Sequence, residues 1–161
     1  MNRLQTDVVI LLPTFNGERF IKEQIQSIQQ QSFRDFSLHI FDDCSTDQTR
    51  EIVTTLADND DRIQIHCNGV RKGVIKNVND ALLKIDAEIY FLADQDDVWL
   101  VEKMARQMEA FQQDNVIMTF TNLLLVDENG NSSGMDFWSS QQINPRAADR
   151  SEILAIKTMV T

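Results

Sequence analysis

The chain has 161 residues, of which 42% are hydrophobic and 25% are charged, and this composition suits one ordinary domain with a buried core. Its formal net charge of −10 opposes nucleic-acid binding, because affinity for nucleic acids comes mainly from lysine and arginine side chains that neutralise phosphates. A phosphorylated small molecule would need a compensating cation, which a divalent metal held by carboxylates would supply.

No targeting or membrane-spanning segment is predicted. Apolar runs such as residues 8–12 are far shorter than the ~20 residues that span a bilayer, and the N-terminus has no long apolar stretch. We therefore expect a cytoplasmic protein whose membrane contact is peripheral at most, at the inner face of the membrane in a full-length protein. Cys44 and Cys67 have no spacing typical of a zinc site or a disulfide framework. The sequence leaves the oligomeric state open.

Strand and helix patterns alternate along the first two-thirds of the chain. A continuous apolar run predicts a strand at residues 8–12, and further strands are predicted at residues 36–41, 63–66 and 88–92. Apolar residues at helical spacing predict helices within residues 18–31, 73–85 and 98–113. Ser45 and Gln48 match a capping box, which predicts that a further helix opens there. The inward stripe predicted for the helix at residues 73–85 consists of Val74, Val78, Ala81, Leu82 and Ile85.

The last third of the chain has a different character. Residues 116–121 and 123–126 are predicted to form a final extended pair. Residues 132–146 are predicted to be a polar loop or lid, in which Phe137 and Trp138 either cover a ligand or serve as one hydrophobic anchor. Residues 151–160 are predicted to resume helical or extended structure.

The alternation of strands and helices predicts an α/β fold. It would contain a Rossmann-like, mostly parallel sheet with helices on both faces. We assign residues 1–127 to a ligand-binding core. Residues 128–161 are assigned to the loop or lid and the start of a further, truncated region.

Unusual residues follow three of the predicted strands. They are Pro13-Thr14-Phe15-Asn16, Asp42-Asp43 and Asp94-Gln95-Asp96-Asp97. In open parallel sheets, ligands bind at the carboxyl ends of the strands. A single aspartate there is often only a helix cap, but crowded carboxylates are costly unless a cation or hydrogen-bond donors compensate them. Two acidic clusters on one sheet edge therefore indicate a ligand site.

The spacing of Asp94 and Asp96 indicates a metal site. Alternate residues of an extended segment point the same way, so both carboxylates would face one site while Gln95 faces the core or a bound base. Hard oxygen ligands select Mg²⁺ or Mn²⁺ over zinc.

Three ordered segments resemble the signatures of family 2 inverting glycosyltransferases with the GT-A fold. They lie at residues 13–18, 42–49 and 94–99, and the last is similar to the rhamnosyltransferase-like branch of bacterial cell-surface polysaccharide enzymes. The resemblance covers nearly the whole chain. It implies transfer, with inversion, of a sugar from a UDP- or dTDP-activated donor to a saccharide or lipid-linked acceptor, with Mn²⁺ or Mg²⁺ as the cofactor.

Carried over to matching positions, the resemblance implies a nucleoside site. Pro13, Thr14 and Glu18 would border the nucleoside. Asp43 would accept a hydrogen bond from the N3–H group of uracil or thymine, and would disfavour cytosine because cytosine has no hydrogen at N3.

The same resemblance implies a diphosphate and metal site. Lys76 and Asn77 would lie near the ribose or diphosphate, although an exposed Lys76 is an equally good interpretation. Asp94 would approach the ribose and is the second candidate metal ligand. Asp96 would bind Mn²⁺ or Mg²⁺ that bridges the diphosphate oxygens.

The resemblance also implies a general base that we do not identify in this sequence. In the resembling family the base is an acidic residue well downstream, so we expect it beyond Thr161. Three alternatives stay open: a non-catalytic nucleotide-sugar-binding fragment, a nucleotidyltransferase and a receiver-type signalling domain. A nucleotidyltransferase would need a glycine-rich loop after the first strand. A receiver domain would need a lysine after residues 116–121.

Overall fold

The structure, a computed structural model, describes residues 7–127 and 130–143. The chain divides into two units, of which the first ends at Gln112 and the second begins at Gln113. Within the described residues, no helix is both long enough and apolar enough to cross a membrane.

The first unit is built on a four-stranded parallel sheet, which confirms the predicted α/β fold. The strand order is β3-β2-β1-β4, and every neighbouring pair is parallel. The strands are β1 (Val8–Thr14), β2 (Ser37–Asp42), β3 (Ile63–Cys67) and β4 (Ile89–Leu92). The helices are α1 (Ile21–Gln29), α2 (Thr49–Ala57), α3 (Val74–Lys84) and α4 (Lys103–Ala110).

The central strand β1 separates two apolar layers. Its side chains alternate between the faces, so Ile10 and Leu12 pack in a cluster with α1 and α4, whereas Val9 and Leu11 pack with Ala81 of α3. Burial of one such aliphatic side chain contributes about 1.5–3 kcal/mol to folding. Helices therefore cover both faces of the sheet, as the sequence predicts.

The register of the sheet places three strand ends side by side. Thr14 at the end of β1 is paired with Asp42 at the end of β2. The backbone N–H of Asp43 donates to the Thr14 carbonyl over 2.8 Å, and that of Ala93 donates to the Leu11 carbonyl over 3.0 Å. The residues that follow β1, β2 and β4 therefore emerge at one edge of the sheet.

The predicted capping box is wrong. Helix α2 begins at Thr49, and the hydroxyl of the buried Ser45 instead accepts the backbone N–H of Asn16 over 2.9 Å. The N-cap residue is Gln48, which makes no side-chain capping bond, and Asp47 Oδ1 accepts the backbone N–H of Thr49, the first helical residue, over 3.0 Å. Ser45 is thus used to hold the loop after β1.

The predicted inward stripe of α3 is partly wrong. Val74 is 64% exposed and Leu82 is 39% exposed, whereas Asn77 and Ala81 are the buried positions. The Asn77 side chain donates to the carbonyl of Phe41 over 2.8 Å, so the helix turns this polar residue toward the sheet. Apolar spacing does not reveal such a polar anchor.

The second unit contains a hairpin instead of the predicted extended pair and loop. Residues 116–121 do not form a strand; β5 (Leu124–Val126) pairs antiparallel with β6 (Ser132–Asp136), and α5 (Phe137–Ser140) follows. Asp127 and Asn131 close the turn, since the backbone N–H of Asn131 donates to Asp127 Oδ1 over 2.9 Å. The prediction for residues 151–160 lies outside the described residues.

Candidate functional site

A pocket of about 300 Å³ opens at the carboxyl ends of β1, β2 and β4. This is the edge of an open parallel sheet at which ligands bind. The pocket is lined by Pro13, Thr14, Phe15, Asp43, Arg71, Gly73, Val74, Asn77, Asp94, Gln95 and Asp96. Three carboxylates and one guanidinium group are therefore present around the same cavity.

The structure brings together most of the site residues predicted from the sequence. Those that line the pocket are Pro13, Thr14, Asp43, Asn77, Asp94 and Asp96. Glu18 and Lys76 are not among the lining residues. Glu18 Oε2 accepts the backbone N–H of Gln48 over 2.9 Å, and Lys76, with a side chain that is 65% exposed, donates to Asp80 over 3.2 Å.

The carboxylate of Asp43 is buried and receives three protein donors. Asn68 Nδ2 and the backbone N–H of Lys72 each donate to Oδ1 over 2.8 Å, and the backbone N–H of Gly73 donates to Oδ2 over 2.7 Å. Burial alone would raise the pKa of Asp43, but these hydrogen bonds hold the pKa below its ordinary value. Asp43 thus organises the loop between β3 and α3 while it faces the pocket.

The neighbouring Asp42 has a structural role. Its side chain is fully buried and accepts Arg50 Nε over 2.6 Å and the backbone N–H of Ser45 over 3.2 Å. Asp42 is not among the residues that line the pocket. It therefore fixes the turn between β2 and α2.

The acidic run after β4 is a turn at Gln95 and Asp96, which differs from the predicted extended segment. Asp94 and Asp96 nevertheless both line the pocket. Partial burial raises the pKa of Asp94, and the charge of Asp96 raises it further. Partial burial also raises the pKa of Asp97, to which the charges of Asp94 and Asp96 add. The run thus carries negative charge that protein donors compensate only in part.

Two carboxylates on one pocket suit a hard divalent cation. Asp94 and Asp96 offer oxygen ligands of the kind that Mg²⁺ and Mn²⁺ prefer. No group of three or more histidine, cysteine or acidic residues that could hold a metal occurs in residues 7–127 and 130–143. A cation at Asp94 and Asp96 would therefore need oxygen atoms from a ligand or water to complete its coordination.

Sequence reasoning missed four lining residues, Phe15, Arg71, Gly73 and Val74, and left Gln95 facing either the core or a bound base. The guanidinium carbon of Arg71 lies 3.8 Å from the centroid of the Phe15 ring, within the range of a cation–π contact. The sequence contains only a weak indication of Arg71, namely a basic residue in the loop after β3 of a strongly acidic chain. For Gln95 the signal was its place between two candidate ligands.

Sequence comparison finds a family match over most of the chain. The profile described as Glycosyl transferase family 2 matches residues 9–154. The chain is 30% identical over 122 residues to the UDP-Glc:alpha-D-GlcNAc-diphosphoundecaprenol beta-1,3-glucosyltransferase WfgD of Escherichia coli, which is 76% of this chain and 47% of that protein. It is 30% identical over 135 residues to the dTDP-rhamnosyl transferase RfbG of Shigella flexneri, which is 81% of this chain and 47% of that protein. The chain spans about half the length of the curated relatives it matches.

Solved structures show the same fold. S. aureus TarS 1-349 in complex with UDP matches with a TM-score of 0.60 and 28% identity, over 66% of this chain and 32% of that chain. The mannosyltransferase PcManGT from Pyrobaculum calidifontis matches with a TM-score of 0.62 and 21% identity, over 79% of this chain and 38% of that chain. These matches confirm the GT-A type of sheet.

Proposed function

Because the chain belongs to glycosyl transferase family 2, we propose that it forms the donor-binding part of an enzyme that transfers a sugar, with inversion, from a UDP- or dTDP-activated donor. The observation that carries the proposal is that Asp43 and the pair Asp94 and Asp96, which follow different strands, line one pocket. The relatives from Escherichia coli and Shigella flexneri, named for UDP-glucose and dTDP-rhamnosyl transfer, support a uridine or thymidine donor.

The base of the donor would lie against Asp43. A carboxylate offers about four acceptor positions, and three protein donors leave about one of them for the N3–H of uracil or thymine. Pro13 and Thr14 would border the nucleoside. We assign Glu18 to holding the loop, because its carboxylate already accepts the backbone N–H of Gln48.

The diphosphate would lie toward Asp94 and Asp96. We propose that these two residues hold Mn²⁺ or Mg²⁺, with Asp96 as the principal ligand and Asp94 either as second ligand or in contact with the ribose. A bound divalent cation would stabilise the negative charge that develops on the departing nucleoside diphosphate. Asn77 lines the same pocket, whereas Lys76 pairs with Asp80 and would contact the diphosphate only after that pair breaks.

We propose that the acceptor site and the general base lie outside the matched region. The relatives are about twice as long as the matched region, which supports a base downstream of Thr161. We propose a saccharide or lipid-linked acceptor of cell-surface polysaccharide synthesis, reached at the inner face of the membrane from the cytoplasm. The Escherichia coli relative, named for a diphosphoundecaprenol acceptor, supports a lipid-linked substrate.

A second candidate function is nucleotide-sugar binding without transfer. It is favoured by the lining of the pocket, which supplies candidate contacts for a nucleotide and a cation. Incubation of the full-length protein with labelled UDP- and dTDP-sugars and candidate acceptors distinguishes the two. Product that disappears on addition of a chelator supports the enzyme, whereas binding without product supports the binding fragment.

Calorimetry tests the proposed donor site. We expect the parent chain to bind UDP or dTDP at least about tenfold more tightly with Mn²⁺ or Mg²⁺ than in a chelator, because the cation offsets the repulsion between the diphosphate and the carboxylates. Asp96→Ala should lose this metal dependence. Asp58→Ala, which removes an exposed carboxylate at the end of α2, is the matched control and should behave like the parent. Equal metal dependence in Asp96→Ala and the parent would contradict the assignment of Asp96.

A further inference from the structure

The side chain of Gln95 connects the acidic run to the loop after β1. Its Oε1 accepts the Thr14 hydroxyl over 2.7 Å and the backbone N–H of Phe15 over 3.0 Å. Its Nε2 donates to the backbone carbonyl of Phe15 over 3.3 Å. The amide thus pairs with both polar groups of one peptide residue, as a neighbouring strand would.

Close packing against Gly17 also confines the side chain of Gln95. A Cβ atom placed on Gly17 would lie 2.6 Å from Gln95 Oε1 and 3.2 Å from Thr14 Oγ1, so no larger residue fits without displacing the amide. Gln95 is therefore enclosed between the end of β1 and the turn at Gly17. An exposed side chain held only by solvent would not be confined in this way.

The backbone of the acidic run is also held at its two ends. It begins at the end of β4, where the backbone N–H of Ala93 donates to Leu11. After the run, the backbone N–H of Trp99 donates to the buried hydroxyl of Ser27 on α1 over 2.9 Å. Gln95 lies between these anchors, next to both Asp94 and Asp96.

We propose that Gln95 is a positioning residue that fixes the Asp94 and Asp96 carboxylates at a set distance from the nucleoside side of the pocket at Phe15. The pocket would then bind the base and the cation-bound diphosphate of one nucleotide at the same time. This requires its two halves to lie at the distance that separates these groups in the nucleotide. This inference rests on the proposed function.

The physical basis is the linkage of two weak half-sites, one for the base at Phe15 and one for the cation-bound diphosphate at Asp94 and Asp96. When both halves are held in register, binding of one part of a ligand makes binding of the other effectively intramolecular, and the affinity for the whole exceeds that for either part. If the turn at Gln95 loses its hydrogen bonds to Phe15, each half-site persists but their separation fluctuates. The loss should therefore fall on the intact nucleotide and spare its fragments.

Titration of the chain with three probes tests this inference: uridine alone, Mn²⁺ alone, and UDP with Mn²⁺. The first variant is Gln95→Met, which keeps the side-chain volume and removes the hydrogen bonds. We expect its affinity for UDP with Mn²⁺ to fall about tenfold or more, because the variant loses the gain in affinity that comes from holding the two half-sites in register. Its affinities for uridine and for Mn²⁺ should change less than about twofold.

A second variant reaches the same contact without changing Gln95. Gly17→Ala should displace the amide and lower the affinity for UDP with Mn²⁺ in the same way, while the fragments bind as before. Gly69→Ala is its matched control, since a Cβ at Gly69 meets no atom within 4 Å. Gln26→Met on the exposed side of α1 is the control for Gln95→Met. Both controls should bind all three probes like the parent.

Several outcomes overturn the inference. If Gln95→Met and Gly17→Ala bind UDP with Mn²⁺ as tightly as the parent, Gln95 does not position the site. If they lose affinity for uridine and Mn²⁺ as much as for UDP, Gln95 only supports the fold. If the parent itself binds no UDP or dTDP, the proposed function fails and this inference fails with it. This outcome differs from the first two, in which the parent binds the nucleotide.

Discussion

The carboxylates of the pocket differ in how the protein balances their charge. Asp43 is surrounded by donors, and its pKa is lowered although burial opposes this. Asp94 has the opposite character, because burial and the charge of Asp96 both raise its pKa. The first carboxylate is satisfied before a ligand arrives, and the second requires a counter-charge. This contrast suits a site in which one carboxylate accepts a hydrogen bond from an uncharged base and another binds a cation.

Asp43→Ala tests the reading of the base. We expect the variant to lose the preference for UDP or dTDP over CDP, measured as the ratio of their dissociation constants with Mn²⁺. It should also lower the free energy of unfolding by about 2 kcal/mol, because the donors at Lys72 and Gly73 lose a charged acceptor. Urea unfolding measures this loss, with Asp58→Ala as the control. An unchanged ratio between UDP and CDP would remove Asp43 from base recognition.

At the scale of elements, the loops after β1 and β2 are joined by reciprocal hydrogen bonds. The backbone N–H of Glu18 donates to Asp47 over 3.1 Å, while the Glu18 carboxylate accepts from Gln48. The backbone N–H of Gly17 donates to Thr49 Oγ1 over 2.8 Å. These bonds fix the start of α1 relative to the start of α2. The side of the pocket formed by the loop after β1 is therefore held by two helices and two strands together.

Asp60 joins the end of α1 to the connection between α2 and β3. It accepts Gln29 Nε2 over 3.0 Å and Arg62 Nη2 over 2.7 Å, and the hydrogen bond from Arg62 is the main cause that lowers the pKa of Asp60 to about 2. Because the pKa in the folded state lies below the unfolded value of 3.8, the stabilisation is fully present above about pH 4. It is lost as the pH falls toward 2.

Asp60→Asn should reveal this contribution. We expect the free energy of unfolding at pH 7 to fall by about 2 kcal/mol, the energy that corresponds to the lowered pKa. The difference between variant and parent should shrink as the pH is lowered from 4 toward 2. Urea unfolding across this range measures it, and Asp61→Asn, at an exposed neighbouring position, is the control. A difference that does not change with pH would contradict the assignment.

The strands, the helices and the acidic residues of the pocket could largely be predicted from the sequence, because they depend on local patterns. Asp43, Asp94 and Asp96 each closely follow a predicted strand. Arg71 could not be predicted as a site residue, and the sequence left Gln95 facing either the core or a bound base. The partners of Gln95 at Thr14 and Phe15 lie about 80 residues away in the sequence, and Arg71 is placed by its contact with the Phe15 ring. The structural role of Asn77 could not be predicted, because apolar spacing in α3 does not reveal a buried amide that donates to the carbonyl of Phe41.

At the scale of the whole molecule, the net charge of −10 opposes the approach of an anionic donor. The pocket adds three carboxylates against one guanidinium group, at Arg71. Salt screens such long-range repulsion, since the Debye length falls from about 30 Å at 0.01 M to about 8 Å at 0.15 M ionic strength. If only short-range contacts attract the nucleotide, its association rate with the chain should therefore rise as salt is added.

We expect the association rate of a fluorescent UDP analogue, measured by stopped flow at saturating Mn²⁺, to rise severalfold between about 0.01 and 0.15 M NaCl. A fluorescent uridine without phosphates carries no charge to repel and serves as the control, with a rate that does not depend on salt. A rate that falls with salt would show that the field around the pocket is attractive, so that Arg71 and its neighbours outweigh the carboxylates.

The loop after β1 also bears on the chemical ageing of the protein. An Asn-Gly dipeptide loses ammonia when the glycine nitrogen attacks the side-chain carbonyl carbon of the asparagine, and Asn16-Gly17 is such a dipeptide. In the fold the Gly17 nitrogen is committed to Thr49, and the Asn16 oxygen accepts the backbone N–H of Thr46 over 2.9 Å. The two reacting groups are thus held by other partners. Conversion of Asn16 to aspartate or isoaspartate in a stored sample will mark the molecules whose pocket loop has opened.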